Sequence, residues 1–408
     1  MKETFKIICS TQKGLEGVLA QELRGLGAKE VAIGRRMVEC ESDKEFLYKA
    51  NFHLRTALKV LVPICTFKAK DPEEIYNQLR VFEWDKYLSP KKTFSIDSIV
   101  FSDTMRHQMY VTYRTKDAIM DYFMEKEGRR MRVSTENPDI PILVHVSADV
   151  CTVSLNSSGD SLHKRGYREE QTEAPINEAL AAGILLMAGW KGESDFMDPM
   201  CGSGTFLIEA GLIALGIPPG IYRKSFAFER WNDFDADLFA EIANDESYDK
   251  EFKFKLYGSD ISGRAVAIAQ RNAERAGLNK YAVLQEKRIE NADPPAEKGL
   301  LVTNPPYGER LQPKEIAGLY ERIGSRLKHV FKGWDAWLIS EKGELLGYVG
   351  LKPSEKIDLL NGQLPCQLRR YQLFDGKRKE HLEKKDAPKA VEKKNNRDNR
   401  KQDRRPNA

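Results

Sequence analysis

Three short segments carry glycine, carboxylate or amide residues directly after apolar runs that are typical of β-strands. They are DPMCGSGT (198–205), GSDIS (258–262) and NPPYGERL (304–311). In open sheets of parallel strands, ligands bind beyond the carboxyl ends of the strands, near the point where the strand order reverses. We therefore expect these segments to meet at one edge of a sheet and to form a binding site there.

The first segment has the composition of a ligand-binding turn between a strand and a helix. Gly202 and Gly204 allow a sharp turn and a close approach of the backbone to a ligand, and a helix is predicted to begin near Thr205. The free N–H groups of a helix N-terminus attract a carboxylate. An ordinary strand–helix turn shows the same pattern. The loop is too short for a phosphate-binding GxxxxGK[ST] motif and lacks its lysine, which disfavours a nucleoside triphosphatase.

The second segment supplies a carboxylate after the next predicted strand. Asp260 stands where an acidic residue can accept hydrogen bonds from ribose hydroxyls, although a solvent-facing turn aspartate would look the same. It follows Asp198 by 62 residues, whereas about 20 residues are usual. A helical insertion over 212–250 that loops out of the sheet would explain this longer separation.

The third segment places an amide and an aromatic ring at the end of a strand. Pro305 and Pro306 cannot continue a strand, so they hold Asn304 and Tyr307 at its carboxyl edge. Asn-Pro-Pro-Tyr alone would be an unremarkable turn. This Asn-Pro-Pro-Tyr segment follows the glycine-rich turn by two strand–helix units, and in that position it indicates a catalytic segment.

Two patterns of secondary structure divide the chain and must position these segments. Up to about residue 156 the predicted elements are strands at 5–10, 57–67 and 93–101, helices at 14–27 and 117–128, and two strands within 142–156. We interpret this part as α+β with an antiparallel sheet. After residue 175, apolar runs at 193–199, 254–260, 299–306 and 336–340 alternate with helical segments. That alternation predicts an α/β domain with parallel strands.

Composition excludes several classes of protein. The chain has 408 residues and a mean hydropathy of −0.53, and no apolar run approaches the ~18–20 residues of a membrane-spanning helix. The N-terminus does not resemble a secretory signal, so a cytoplasmic location is expected. Six scattered cysteines without a CxxC pair indicate neither a disulfide framework nor a zinc site.

The net charge is unevenly distributed. The chain carries +4 overall, but residues 376–408 hold 13 Lys and Arg against 6 Asp and Glu, which leaves −3 for the preceding body. The tail has almost nothing to bury and is predicted to be disordered. Local basic clusters in the body are Arg129, Arg130 and Arg132, and Lys164, Arg165 and Arg168.

Together the motifs resemble those of a class I S-adenosylmethionine-dependent RNA methyltransferase of the THUMP-containing group, and are most similar to bacterial guanine-N2 methyltransferases of large-subunit ribosomal RNA. The stretch LHKRGYREEQTEAPINEALAAGIL (162–185) adds a fourth match, and the similarity spans residues 1 to about 375. The resemblance implies a Rossmann-like, seven-stranded catalytic domain preceded by ferredoxin-like and THUMP subdomains. Its implied boundaries are a ferredoxin-like subdomain at 1–56, a THUMP domain at 57–156, a linker at 157–175, a catalytic domain at 176–376 and a tail at 377–408.

The resemblance also implies roles for individual residues. S-adenosylmethionine would be bound by Asp198, Pro199, Cys201, Gly202, Ser203, Gly204, Thr205, Asp260, Ile261 and Asn304. Catalysis would involve Asn304, Pro305, Pro306 and Tyr307, with the Asn304 and Pro305 oxygens accepting N–H groups of an exocyclic amine and Tyr307 stacking on an extruded base. RNA would be contacted by Lys164, Arg165, Tyr167, Arg168, Arg129, Arg130 and Arg132, although Tyr167 would equally well pack. No metal and no membrane partner is implied.

Two departures from the family stand out. Some relatives carry a second methyltransferase domain, for which this chain is too short. An acidic residue near the cofactor's adenine is usual after the third strand, but Lys287 and Arg288 occupy the expected place, which leaves Glu290 or Asp293 as substitutes.

Three alternative functions stay open at this point. They are a transfer-RNA guanine-N2 methyltransferase, a THUMP protein whose catalytic half has decayed into a binding scaffold, and a DNA or protein amide methyltransferase. The three intact motifs argue against decay, and the N-terminal half argues against the last alternative.

Overall fold

The computed structural model describes residues 4–170, 175–307, 313–341 and 343–374. Within these ranges the strands form two sheets, of eight and seven strands. No helix in this part of the chain is long and apolar enough to cross a membrane. The predicted tail, 377–408, lies outside the described residues.

The N-terminal sheet is built from the first eight strands. They are β1 (Phe5–Thr11), β2 (Lys29–Gly34), β3 (Met37–Ser42), β4 (Ala57–Lys68), β5 (Thr93–Phe101), β6 (Arg132–Val133), β7 (Ile140–Ser147) and β8 (Val150–Asn156), in the spatial order β2-β3-β1-β4-β8-β7-β5-β6. Four helices accompany them, namely α1 (Glu16–Gly25), α2 (Lys44–His53), α3 (Pro72–Arg80) and α4 (Gln108–Glu127). Side-chain caps mark several helix starts, such as the carboxylate of Asp71, which accepts the N–H groups of Glu73 and Glu74.

Strand β4 belongs to both predicted N-terminal subdomains. One edge pairs with β1 and the other with β8, both antiparallel. The boundary predicted at residues 56 and 57 therefore falls at the first residue of a strand that is shared by one continuous sheet.

The structure corrects two predictions for this half. The sheet is not purely antiparallel, because β5 pairs in parallel with both β6 and β7. Helix α4 crosses over between β5 and the next strands, and such a crossover returns the chain to the same end of the sheet. This helix begins at Gln108 and not at Asp117. Its first turns are rich in aromatic and β-branched residues, but Val111, Thr115 and Ala118 recur at helical spacing and are buried.

The second sheet forms the core of the catalytic half. Its strands are β9 (Asp195–Asp198), β10 (Leu256–Asp260), β11 (Ala282–Glu286), β12 (Gly299–Thr303), β13 (Asp335–Glu341), β14 (Glu355–Asn361) and β15 (Leu364–Gln372), in the order β11-β10-β9-β12-β13-β15-β14. The helices are α5 (Glu178–Met187), α6 (Thr205–Ala214), α7 (Ala236–Ala243), α8 (Gly263–Arg275) and α9 (Pro313–His329).

The first five strands of this sheet are parallel, as predicted. Strand β15 runs antiparallel to its neighbours β13 and β14. Apolar clusters cover both faces, one containing residues of α5, α6 and α8 and the other residues of α9. The predicted Rossmann-like, seven-stranded α/β domain behind an α+β half is confirmed.

The insertion between α6 and β10 packs against the N-terminal half and does not loop out freely. Phe228 stacks on Tyr48 of α2, with ring centroids 4.4 Å apart. The hydroxyl of Tyr48 accepts the backbone N–H of Asp235 at 3.1 Å. Lys92, next to β5, donates to the backbone carbonyl of Arg230. The insertion thus contacts both N-terminal subdomains and holds them against the catalytic half.

Candidate functional site

The loops after β9, β10 and β12 meet at the carboxyl edge of the catalytic sheet, because these strands are adjacent and parallel. The Gly202 N–H donates to Asp260 Oδ2 at 3.0 Å, and Thr303 Oγ1 donates to Asp198 Oδ1 at 2.7 Å. The structure therefore brings the three motifs together. Residues 308–311 of the third motif lie outside the described ranges.

The glycine loop has the conformation that its sequence requires. Gly202 and Gly204 adopt left-handed φ angles of +52° and +83°. A Cβ on Gly204 would lie 3.2 Å from the Cβ of Ala269, so the loop packs closely on α8. Gly204 is also the N-cap of α6, and no described side chain caps this helix terminus. Its N–H groups can therefore bind the anionic end of a ligand.

Both carboxylate oxygens of Asp260 are already used within the site. Oδ2 accepts the Gly202 N–H and Oδ1 accepts the Ser262 N–H, at 3.0 and 2.9 Å. Each oxygen can accept a further hydrogen bond, so the predicted contact with ribose hydroxyls stays a prediction. The neighbouring Ile261 is 59 % exposed and presents an apolar surface beside the loop.

Asp198 lies beneath the glycine loop. It is 2 % exposed, and burial raises the pKa of its carboxyl to about 7, although hydrogen bonds from Thr303 and from the Met200 N–H oppose this rise in pKa. These two bonds tie the loop to the end of β12. Asp198 thus positions the loop, and its direct contact with a cofactor stays a prediction.

Asn304 presents an acceptor that nothing in the described chain satisfies. Its Oδ1 atom is buried and has no hydrogen-bond partner among the described residues. An unsatisfied buried acceptor costs about 1–3 kcal/mol, so Oδ1 at this edge of the sheet is available to accept a hydrogen bond from a ligand. The Asn304 amide also lies beside the Tyr307 hydroxyl, where it opposes the rise in the pKa of that phenol.

Tyr307 is anchored from the far side by the β14–β15 hairpin. Its hydroxyl accepts from Asn361 Nδ2 at 3.0 Å and contacts the Cys366 thiol. Burial raises the pKa of Tyr307, so the phenol is neutral and its ring is held by its hydroxyl. The motifs did not identify Asn361 or Cys366, because Asn361 lies 54 residues from Tyr307 and has no local signature.

Arg168 contacts the glycine loop from the linker, and its predicted contact with RNA is corrected. Its guanidinium donates to Glu178 at 2.9 Å, to Ser203 Oγ at 3.3 Å and to Thr205 Oγ1 at 2.9 Å. The side chain is only 14 % exposed. Arg168 therefore holds the loop and the start of α6 in place, because its donors are used within the protein.

The predictions that Arg165 and Tyr167 contact RNA are wrong, because both side chains are buried. Arg165 forms an ion pair with Glu209 of α6 at 3.4 Å, and the Tyr167 hydroxyl donates to the same carboxylate at 3.1 Å. Arg165 also donates to the backbone carbonyls of Leu162 and Arg55. A sequence alone does not distinguish such a buried arginine from an exposed one.

Breaking this buried pair should destabilise the protein. R165M is expected to lower the free energy of unfolding by roughly 3–5 kcal/mol, because the Glu209 carboxylate would remain buried without its partner. The double variant R165M/E209L should recover most of that loss. Urea unfolding followed by circular dichroism measures both, and equal losses in the two variants would show that the charge pair is not the cause.

The other predicted RNA contacts are exposed and stay predictions. They are Arg129, Arg130, Arg132 and Lys164. The side chain of Lys164 is 62 % exposed and lies 3.4 Å from Asp160.

Glu286 is a better candidate than Glu290 or Asp293 for the acidic residue that is expected after β11, the third strand of the catalytic half. Glu290 and Asp293 both form ion pairs with arginines of α9. Glu286, the last residue of β11, is exposed and stands directly opposite Asp260 in the strand register. Two carboxylates thus lie side by side at the edge of the sheet. Glu286 lies one residue before Lys287, so it precedes the place where the acidic residue was expected.

Family comparisons cover most of the chain. Residues 165–370 match the model described as RMKL-like, methyltransferase domain. Residues 69–156 match the THUMP domain, and residues 6–61 match the RlmL ferredoxin-like domain.

Individual relatives agree with this division. The chain is 38 % identical to a putative RNA methyltransferase of Synechocystis sp. over 91 % of this chain and 97 % of the relative. It is 36 % identical to the ribosomal RNA large subunit methyltransferase K/L of Syntrophotalea carbinolica over 92 % of this chain, but spans only 54 % of that relative. A putative methyltransferase crystallised with S-adenosylhomocysteine superposes with a TM-score of 0.82 at 31 % identity, covering 92 % of this chain and all of the other.

Proposed function

Because the chain belongs to the class I S-adenosylmethionine-dependent RNA methyltransferases with a THUMP domain and an RMKL-like catalytic domain, we propose that it methylates the exocyclic N2 amine of a guanine in large-subunit ribosomal RNA. The ribosomal substrate is suggested by relatives named K/L, of whose length the chain spans about half. The choice of guanine N2 follows the resemblance of the Asn-Pro-Pro-Tyr segment to that group.

The residues at the sheet edge fit the cofactor. The uncapped N-terminus of α6 suits its carboxylate. Asp260 offers acceptors for its ribose hydroxyls, and Glu286, opposite Asp260 in the strand register, offers a carboxylate on the side of its adenine. The exposed Ile261 suits the flat apolar base. When bound, S-adenosylmethionine supplies a methyl group on a sulfonium, whose departure leaves a neutral thioether.

The unsatisfied Oδ1 of Asn304 is the observation that carries the proposed reaction. An exocyclic amine is a poor nucleophile, since its lone pair is delocalised into the base. Asn304 Oδ1 and the Pro305 carbonyl would each accept an N–H of this amine, which directs the lone pair away from both acceptors. Pro306 fixes the backbone after them, and the Tyr307 ring stacks on the extruded base.

Placement contributes more to this reaction than hydrogen-bond strength does. A neutral hydrogen bond contributes about 0.5–1.5 kcal/mol net, whereas correct placement of two reactants can lower a barrier by about 7–11 kcal/mol. The site therefore acts chiefly by holding the amine in line with the methyl group. No proton has to be removed before the methyl group is transferred. The nitrogen then carries the positive charge that the sulfonium loses, and it releases one of its protons to solvent to give the neutral methylated base.

A methylation assay tests the proposed function. Purified ribosomal RNA lacking the modification and total transfer RNA are incubated with the protein and labelled S-adenosylmethionine, and the RNA is digested to nucleosides for mass analysis. We expect N2-methylguanosine from the large-subunit RNA. Label in transfer RNA alone, or in adenine or cytosine, would contradict the proposal.

The contact between Asn361 and Tyr307 should affect turnover, because it orients the ring on which the base stacks. Asn361→Leu removes the donor at nearly constant volume and is expected to lower kcat about tenfold, as Tyr307→Phe should. The double variant should be no slower than either single variant, since both remove the same hydrogen bond.

Asn361→Asp serves as the matched control, because the tyrosine hydroxyl can donate to an aspartate. This variant should recover part of the activity that Asn361→Leu loses. Steady-state kcat and KM for RNA are the measurements. Additive losses in the double variant would show that Asn361 acts on something other than Tyr307.

A further inference from the structure

An open cavity lies on the other side of the linker from the glycine loop and has a volume of about 1110 Å³. Strand β5 and helix α4 form one wall, residues 156–166 form the floor, and residues 222–230 of the insertion with Arg275 of α8 form the other wall. We call this cavity the interdomain cleft. Both halves of the chain contribute to it.

The interdomain cleft concentrates positive charge in a body that is otherwise slightly acidic. Eight of its lining residues are Lys or Arg and two are Asp, whereas residues 1–375 together carry −3. Three of the arginines are paired with carboxylates outside the lining, Arg165 with Glu209, Arg230 with Asp139 and Arg275 with Glu169, so the excess positive charge is carried by the lysines and Arg223. Lys116, Lys164 and Lys224 have exposed or partly exposed side chains. Lys116 lies on the THUMP wall and Lys224 on the wall of the insertion, so an anion in the cleft would be bound from both sides.

One arginine stiffens the floor of the interdomain cleft. The Arg223 guanidinium donates to four backbone carbonyls of the floor, those of Ser158, Asp160, Ser161 and Lys164, at 2.9–3.2 Å. The floor is thus held in one shape from the side of the insertion. A preformed surface of this kind loses little conformational freedom when a ligand binds.

An exposed aromatic ring faces the same cleft. Met109, Tyr113 and Lys116 follow one another on the cleft-facing side of α4 at helical spacing. Tyr113 is 50 % exposed and Met109 57 % exposed, and Lys116 Nζ lies 5.4 Å from the centre of the Tyr113 ring. A half-exposed aromatic ring with a lysine ammonium over it is an arrangement that can stack on an unpaired base and bind the phosphate next to it.

The interdomain cleft lies close to the glycine loop. Lys164 lines the cleft, and Arg168, four residues later, donates to Ser203 and Thr205. Four residues span at most about 14 Å. A strand of RNA leaving the cleft therefore needs few nucleotides to reach the neighbourhood of the glycine loop.

We propose that the interdomain cleft binds a single-stranded RNA segment next to the methylated nucleotide, with phosphates at Lys116 and Lys224 and a base on Tyr113. The inference rests on the proposed function, because it assumes an RNA substrate. Single strands are favoured because a base must be unstacked to lie on Tyr113. The volume of about 1110 Å³ lies just above the ~300–1,000 Å³ of small-molecule pockets, which suits a few nucleotides and not a duplex.

Fluorescence anisotropy of the full chain with a labelled 12-nucleotide oligouridylate tests the charged walls. The double variant K116Q/K224Q is compared with K253Q/K328Q, which removes two exposed lysines that do not line the cleft. We expect the cleft variant to bind at least tenfold more weakly in 50 mM salt. The slope of log affinity against log salt should become shallower by about 1.4, since each phosphate contact to a single strand contributes about 0.7. The control variant should change neither quantity by a comparable amount.

The aromatic contact has a different signature. Tyr113→Ala should weaken binding roughly 5- to 150-fold without changing the salt slope, and Tyr113→Phe should retain binding, because stacking needs the ring and not the hydroxyl. A 12-base-pair RNA duplex should bind more weakly than the single strand. Equal binding of duplex and single strand, or equal losses in the cleft and control variants, would overturn the proposal.

Methylation kinetics separate this inference from the proposed function. If K116Q/K224Q methylates ribosomal RNA with an unchanged KM, the interdomain cleft is not the RNA site, although the proposed function stands. If the cleft variants lose RNA affinity but the unaltered protein methylates no RNA, the cleft assignment stands and the proposed function fails.

Discussion

Asn304→Ala is expected to lower kcat by about 10²-fold or more while the dissociation constant for S-adenosylmethionine changes by less than about threefold. The variant removes a buried oxygen at the carboxyl edge of the sheet that has no hydrogen-bond partner in the described chain, so the amine loses an acceptor that orients it. A misplacement of about 1 Å can cost 10² in rate. Single-turnover methylation and calorimetric titration with the cofactor measure the two quantities separately.

Asn244→Ala is the matched control for this experiment, because Asn244 lies at the exposed end of α7 and its side chain donates only to a carbonyl of the same helix. It should leave both quantities unchanged. Full activity of the Asn304 variant would refute the role assigned to this amide. Equal losses of turnover and cofactor affinity would make Asn304 a binding residue and not a residue that positions the amine.

Gly202→Val should weaken cofactor binding by at least 10²-fold. Gly202 has a φ of +52°, a conformation that a β-branched residue adopts only with strain, and its N–H holds the carboxylate of Asp260. The valine would distort the loop and disturb the acceptor assigned to the ribose. Calorimetry with S-adenosylhomocysteine measures the loss.

Gly277→Val separates this effect from a general loss of stability. Gly277 also has a left-handed φ, +69°, and no atom lies within 4 Å of its missing Cβ. Backbone strain of ~1–3 kcal/mol is expected at both positions, but only the Gly202 variant should lose cofactor affinity. Normal binding by a folded Gly202 variant would contradict the assignment of the loop.

The sheet edge could be predicted because its signals are local. Glycines in a turn and prolines after a strand impose backbone conformations within a few residues. The alternation of strands and helices then predicts that three such turns meet at one edge. This prediction is correct only if the strands that carry the turns are neighbours in the sheet. In the structure, β9 does pair in parallel with both β10 and β12.

The predictions failed where burial depends on distant residues. Arg165 and Tyr167 lie in a charged stretch, but both are covered by α6, whose Glu209 is 44 and 42 residues away. The support for Tyr307 likewise comes from Asn361, on a hairpin at the far side of the sheet. Helix α4 was predicted too short because its first turns contain aromatic and β-branched residues, whose helix propensity is low, whereas burial of one face stabilises the helix.

Strand β4 has a consequence for how the chain can be divided. The family models assign residues 6–61 and 69–156 to separate modules, but β4 is hydrogen-bonded to a strand of one module along one edge and to a strand of the other module along the other edge. A cut on either side would leave an open strand edge, which templates aggregation. The two modules therefore share one continuous sheet, and exchange of either module between relatives would have to preserve the register of a strand that is hydrogen-bonded to both.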